Sequence, residues 1–162
     1  MRQLIRIIFG SLLLCVFIGF TASCSEEADC SMAERPMMNC NLYTLDRDGY
    51  AIRDTLDSLT VTAWGTDSII VNNQQDVRNL TLPLRYTADS TVLVFRYSRN
   101  TTDTVIIRHT NTPYFLSMDC GYQMQQSINE VLHTRHRLDS IYITSNEADI
   151  YGQENIKLFY IH

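Results

Sequence analysis

Residues 57–71 read DSLTVTAWGTDSIIV, and their pattern decides the fold. Leu59, Val61 and Ala63 alternate with Thr60 and Thr62, the period of two expected of a strand with one buried and one wet face. WGTD at 64–67 has turn composition, and SIIV follows at once, so the stretch predicts a tight hairpin. The same grammar recurs outward in both directions. Candidate strands are Met38–Leu45, Ser58–Trp64, Ser68–Asn72, Leu80–Leu84, Thr91–Tyr97, Thr104–His109, Tyr114–Met118, Asp139–Thr144 and Ile156–Ile161. They are rich in Val, Ile, Thr and Tyr, which suit a pleated, half-buried surface. DRDG at 46–49 supplies another turn. Short strands at this spacing predict an all-β, antiparallel sandwich of about eight or nine strands over residues 37–162. YQMQQSINEVLHTRH (122–136) fits two periods: Tyr122, Met124, Ile128 and Leu132 alternate, while Met124, Ile128, Val131 and Arg135 have helical spacing. A strand from Tyr122, followed by a loop or helical turn, is the expectation.

The N-terminus has a different character. MRQLIR carries two arginines and no acid, and IIFGSLLLCVFIGF (7–20) is apolar apart from Ser11 and two glycines. As a helix that run spans roughly 21 Å, short of a bilayer core of ~30 Å. A charged start, a short apolar run and small residues before a cut site describe a signal peptide, residues 1–23. Ala22 and Ser23 precede Cys24, which is expected to be the lipid-bearing first residue of the mature chain. Thr21 relaxes the usual leucine, and Leu14 before Cys15 makes that cysteine the poorer candidate. Ser25, Glu26, Glu27 and Asp29 follow directly, in a polar tether of residues 24–36.

Thirteen basic residues face eighteen acidic ones, and loss of Arg2 and Arg6 with the leader leaves eleven against eighteen. That balance argues against a nucleic-acid partner, whose phosphates need cations. Of the three cysteines left after lipidation, Cys40 shares a face with Met38 and Leu42 and is expected to be buried. Cys30 and Cys120 are expected to pair in an oxidising envelope, with Cys30–Cys40 as the alternative. A loop of about 90 residues closed this way gains roughly 4–5 kcal/mol on a chain-entropy model.

Together these features resemble a small lipoprotein domain family of Bacteroidota. The residues that carry the resemblance are Cys30, the hairpin 57–71, LTLPLRYTADSTVLVF, TDTVIIRHT, DCGY at 119–122 and the closing NIKLFYIH; Cys40 departs from the pattern. The resemblance implies an immunoglobulin-like sandwich in the cell envelope and brings no activity, ligand or catalytic residue. In that setting the cluster after Cys24 looks like a surface-export signal. Six Asp-Ser/Thr-branched or apolar triplets, which also mark turns feeding strands, look like O-glycosylation acceptors; Thr55, Thr104 and Ser90 are the favoured sites.

Catalytic signatures do not emerge. There is no Gly-rich phosphate loop, GxSxG elbow or HExxH motif. His133, His136 and Asp139 could hold a metal on a helix, but on a strand they point apart, and Arg135 and Arg137 flank them. Neither a metal nor a cofactor is expected. The reading is a non-catalytic, lipid-anchored outer-membrane module that binds an envelope protein or a glycan. A structural subunit acting by strand pairing is the alternative, and an envelope hydrolase is a weaker one.

Overall fold

The computed structural model describes residues 35–161, apart from Asp67 and Asp119. The expected signal peptide, Cys24, the expected export cluster and Cys30 therefore lie outside the described residues. Among the described residues eleven strands follow one another without a helix: β1 (Met38–Leu45), β2 (Ala51–Arg53), β3 (Leu56–Ala63), β4 (Ile69–Val77), β5 (Asn79–Leu82), β6 (Ser90–Arg96), β7 (Thr102–Ser117), β8 (Gly121–His133), β9 (Leu138–Ile143), β10 (Glu147–Ala148) and β11 (Glu154–Tyr160).

They form two sheets. One runs β2-β1-β11-β9, with β5 also on β1; the other runs β10-β8-β7-β6-β3-β4. All strand pairs are antiparallel except β1 with β11, which lie parallel with Leu42 beside Leu158. Each sheet turns one face inward. Met38, Cys40, Leu42, Leu80, Leu82, Ile156 and Leu158 meet Leu59, Val61, Leu93, Phe95, Val105, Ile107 and Ile128 in one continuous core. The molecule is thus an all-β sandwich, as the alternation predicts. Full burial of such side chains stabilises by about 1.5–3 kcal/mol each, which is what drives the sheets together.

The hairpin that decides the fold is present: β3 and β4 pair antiparallel from Leu56 beside Val77 to Thr62 beside Ile69. Two register shifts interrupt it, and Asn73 and Asp76 take positive φ. These kinks blunt the outer edge of β4, a usual defence of an exposed strand.

Two expectations need correction, and one that left alternatives open is decided. Thr104–His109 and Tyr114–Met118 are one strand, β7, which continues through Pro113. Past Arg108, among the described residues, β7 has a strand neighbour on one side only, so a residue without an N–H fits there. Second, 122–136 is a strand as expected, running to His133, and of the two expected continuations it takes the loop, over 134–137. A register shift leaves Asn129 without an opposite number between Ile128 and Glu130. This bulge moves the inward phase from Ile128 to Val131, which imitates helical spacing in the sequence. Third, β2 and β10 have no counterpart among the expected strands.

Candidate binding surfaces

The outer face of the smaller sheet carries a cluster that no single motif announces. Because strand partners share a face, the registers lay two rows across it. Arg53, Tyr43, Phe159 and Ser140 form one row; Asn41, Lys157 and Tyr142 form the other. With strands ~4.8 Å apart, four of them make a strip about 14 Å wide. Tyr43 stacks on Phe159 with centroids 5.6 Å apart, and Tyr142 meets the same ring edge-on at 5.6 Å. Phe159 is buried beneath them, whereas Tyr142 is 62 % exposed.

Two cations sit over Tyr43: the Arg53 guanidinium at 5.0 Å and the Lys157 ammonium at 5.2 Å. Glu154 binds the cluster from beside β1. It accepts the Tyr43 hydroxyl at 2.8 Å and the Asn41 amide, and lies 3.8 Å from Lys157. Burial, the hydrogen bond to Glu154 and its negative charge together push the Tyr43 phenol above its ordinary pKa. The phenol therefore stays a neutral donor. The surface offers an aromatic ring with an open face, two cations, a carboxylate and an amide on rigid strands.

A second surface is the end of the β7–β8 hairpin. Pairing with β6 ends at Arg108, and β10 pairs with β8 at Gln126 and Ser127. From Thr112 to Gln125 the two strands pair with no third strand among the described residues, and so form an arm. Pro113 lies opposite Met124 and Phe115 opposite Tyr122, so these four share one face. Phe115 and Tyr122 make an edge-to-face pair at 5.6 Å. At the tip Met118 is 90 % and Tyr122 74 % exposed. Gly121 closes the turn at φ +66°, a conformation glycine adopts without strain.

The base of the arm is held by a buried polar network. Asn111 donates its amide to the carbonyls of Arg85, Tyr86 and Ala88, which fixes which way the amide points. Its Oδ1 therefore accepts from His109 Nδ1 at 3.1 Å and from Gln126 at 2.8 Å. Thr91 Oγ1 accepts the Arg85 N–H and lies 2.8 Å from His109 Nε2. Burial holds the His109 pKa below the usual histidine value against the opposing pull of Asn111 and Asp89, so the ring is neutral; with Nδ1 donating to Asn111, its Nε2 accepts the Thr91 hydroxyl.

Asp103 performs the matching task at the other end of β7. It is fully buried and accepts from the backbone N–H of His136, Arg137 and Leu138 and from the Thr134 hydroxyl, all at 2.8–2.9 Å. His136 Nδ1 adds a contact at 3.1 Å. Burial pushes the carboxyl up, but the backbone donors outweigh it and the pKa falls to about 2. This aspartate opens one of the Asp-Thr triplets, yet its work is to pin the β8–β9 turn to β7.

The remaining sequence candidates are scattered. Thr55 is half-buried in the link before β3 and donates its N–H to Asp54 at 2.7 Å. Ser90 is half-buried at the start of β6; Thr104 is half-buried within β7, beside Val94. His133 and His136 do not converge: Nε2 of His133 meets the Asp139 carbonyl, and His136 faces Asp103. The described residues contain no cluster suited to a metal ion. Cys40 is a free, fully buried thiol, and Cys120 is disulfide-bonded to a partner outside the described residues.

Sequence reasoning misses the aromatic strip because its members come from β1, β2, β9 and β11. The alternation of Asn41 and Tyr43 with buried Cys40 and Leu42 is the one signal that places two of them outward. No curated protein and no solved structure matches the chain. A family model does match residues 58–160; it spans the arm, Asp103, His109 and the β9 and β11 part of the strip, but not β1 or β2. On that match the chain belongs to DUF6452, a family of unknown function.

Proposed function

We propose that this is a non-catalytic cell-envelope lipoprotein that binds glycan on the outer face of its smaller sheet. In this reading residues 1–23 are a signal peptide, Cys24 carries lipid, and the domain sits on the outer membrane of a Bacteroidota cell. Ser25, Glu26, Glu27 and Asp29 direct it to the outside. The observation that carries the binding role is the exposed Tyr142 ring, set edge-on to Phe159 with Lys157, Arg53, Glu154 and Asn41 beside it. The electron-rich face of an aromatic ring attracts the polarised C–H face of a sugar. Cations, carboxylate and amide then meet its hydroxyls. Strand positions hold these groups ready, so little ordering cost falls on binding. The kinked edge of β4 gives no support to the alternative of assembly by strand pairing.

The test is binding of the purified protein to an array of envelope glycans. Tyr142→Ala should weaken the strongest binding at least tenfold while leaving the melting temperature within about 2 °C of wild type. Equal binding by wild type and variant refutes this face as the site. Arg53→Ala and Lys157→Ala then separate a neutral ligand, which tolerates both, from an acidic one, which does not.

A further inference from the structure

We infer that the tip of the β7–β8 arm rests in the lipid surface and fixes how the domain stands on its membrane. The inference deepens the proposed function, since it rests on lipidation of Cys24.

Three independent features converge on the arm. The first is its composition. Residues 111–126, NTPYFLSMDCGYQMQQ, contain no Lys, Arg or Glu and a single Asp, Asp119. Elsewhere the chain is amply charged, with 30 charged residues in the other 146 (13 basic and 17 acidic). A carboxylate or ammonium is costly in the hydrocarbon region, whereas Tyr, Phe and Met suit the interface.

The second is exposure. Burial alternates along β7 as far as Asn111, and then every residue from Thr112 to Leu116 is exposed. Phe115 is 53 %, Leu116 40 % and Met118 90 % exposed, on a segment that, among the described residues, pairs with no strand outside the β7–β8 hairpin. A monomer in water gains nothing from such a tip. At ~3.3 Å per residue, Ser117 lies about 20 Å beyond Asn111, far enough to reach a surface that the sandwich does not touch.

The third is covalent. Cys120, in the turn of the arm, is disulfide-bonded, while Cys40 is free. With Cys30 as its partner, six residues separate the crosslink from Cys24. Fully extended, they span about 20–22 Å. Without the crosslink, eleven residues from Cys24 to Arg35 would tether the domain at the start of β1, on a leash of about 40 Å. The disulfide thus halves the leash and moves its attachment to the apolar tip. The lipid supplies the anchor and the arm supplies a second contact, which sets orientation.

The test uses the full lipidated protein in phosphatidylethanolamine–phosphatidylglycerol vesicles containing lipids brominated near the headgroup. Wild type has one tryptophan, Trp64, 64 % exposed at the β3–β4 turn. A double variant, Trp64→Phe with Phe115→Trp, moves the fluorophore to the arm. Brominated lipid should quench this variant at least threefold more than it quenches Trp64 in the wild type, and adding Met118→Asp should abolish the difference. Equal quenching of the two proteins, both floating with the vesicles, overturns the arm inference and leaves lipidation standing. Failure of wild type to float overturns both. Protection of the arm fluorophore only in native envelopes, and never in protein-free vesicles, assigns the tip to a protein partner and also overturns the inference.

Discussion

Substituting Asp103 with Asn isolates how one buried carboxylate organises the end of the sandwich. The change keeps shape and one acceptor oxygen, which can still serve Thr134 and His136. It replaces Oδ2, which accepts the N–H groups of Arg137 and Leu138 at 2.9 Å, with a second donor. Two buried donors without an acceptor cost about 1–3 kcal/mol each, so about 4 kcal/mol is expected in all. At a urea slope of about 2 kcal/mol/M, the unfolding midpoint falls by about 2 M. The pH dependence gives a second handle. The folded-state pKa, about 2, lies below the ordinary 3.8, so the carboxylate's stabilisation is fully present above pH 3.8 and is lost as pH falls through 2. A depression of that size corresponds to about 2 kcal/mol. Because Asn does not titrate, the gap between wild type and variant should narrow by that amount between pH 5 and pH 2. Urea titrations followed by circular dichroism and by Trp64 fluorescence measure both effects. A variant within 1 kcal/mol of wild type at pH 7, or a gap that ignores acid, refutes the account of Asp103.

Two further outcomes follow from the buried groups. The folded pKa of His109 lies below its unfolded value of about 6.5, so the neutral ring's contribution is complete above that pH and declines as acid protonates the unfolded chain preferentially. Melting temperatures between pH 7.5 and 5 should fall more steeply for wild type than for His109→Gln; parallel slopes would remove His109 from the explanation. Burial and the charge of Glu154 raise the Cys40 thiol pKa, so a maleimide should leave Cys40 unmodified in the native protein and label it fully in urea. A non-reducing peptide map of the same samples should link Cys30 to Cys120; rapid native labelling of Cys40 would contradict its burial.

Much of the sandwich is legible because one face of most strands is wet. Met38–Leu45 shows this best: Met38, Cys40 and Leu42 are buried between half-exposed asparagines and Tyr43, and the expected strand and β1 share both ends. Legibility fails where the rule of alternation is broken by something non-local. Pro113 reads as a break, since the sequence cannot say that β7 has an open side there. Asn129 hides a bulge whose phase change looks like a helix. The arm has no core to alternate against, so its sequence reads as a short strand with an apolar end. Asp103 and His109 sit among residues of ordinary strand grammar; only the folded neighbours show that one anchors a turn and the other a loop. The aromatic strip is the extreme case, because its two rows exist only once β1 lies between β2 and β11.

The parallel pairing of β1 with β11 has a mechanical consequence. With the Cys120 disulfide reduced, a pull on the chain ahead of β1 enters the fold at β1, while the strip extends over β11 and β9. Tension along β1 cannot peel it away one bond at a time. It must slide the strand lengthwise past β11, from Cys40 beside Ile156 to Tyr43 beside Phe159, and at the same time past β5 and β2 on its other edge. Every bond along those seams takes the load together, and Leu42, fully buried, must be dragged through packed side chains before any of them yields. Shear of this kind resists force far better than unzipping, so β1 holds firm even when the crosslink no longer carries the load.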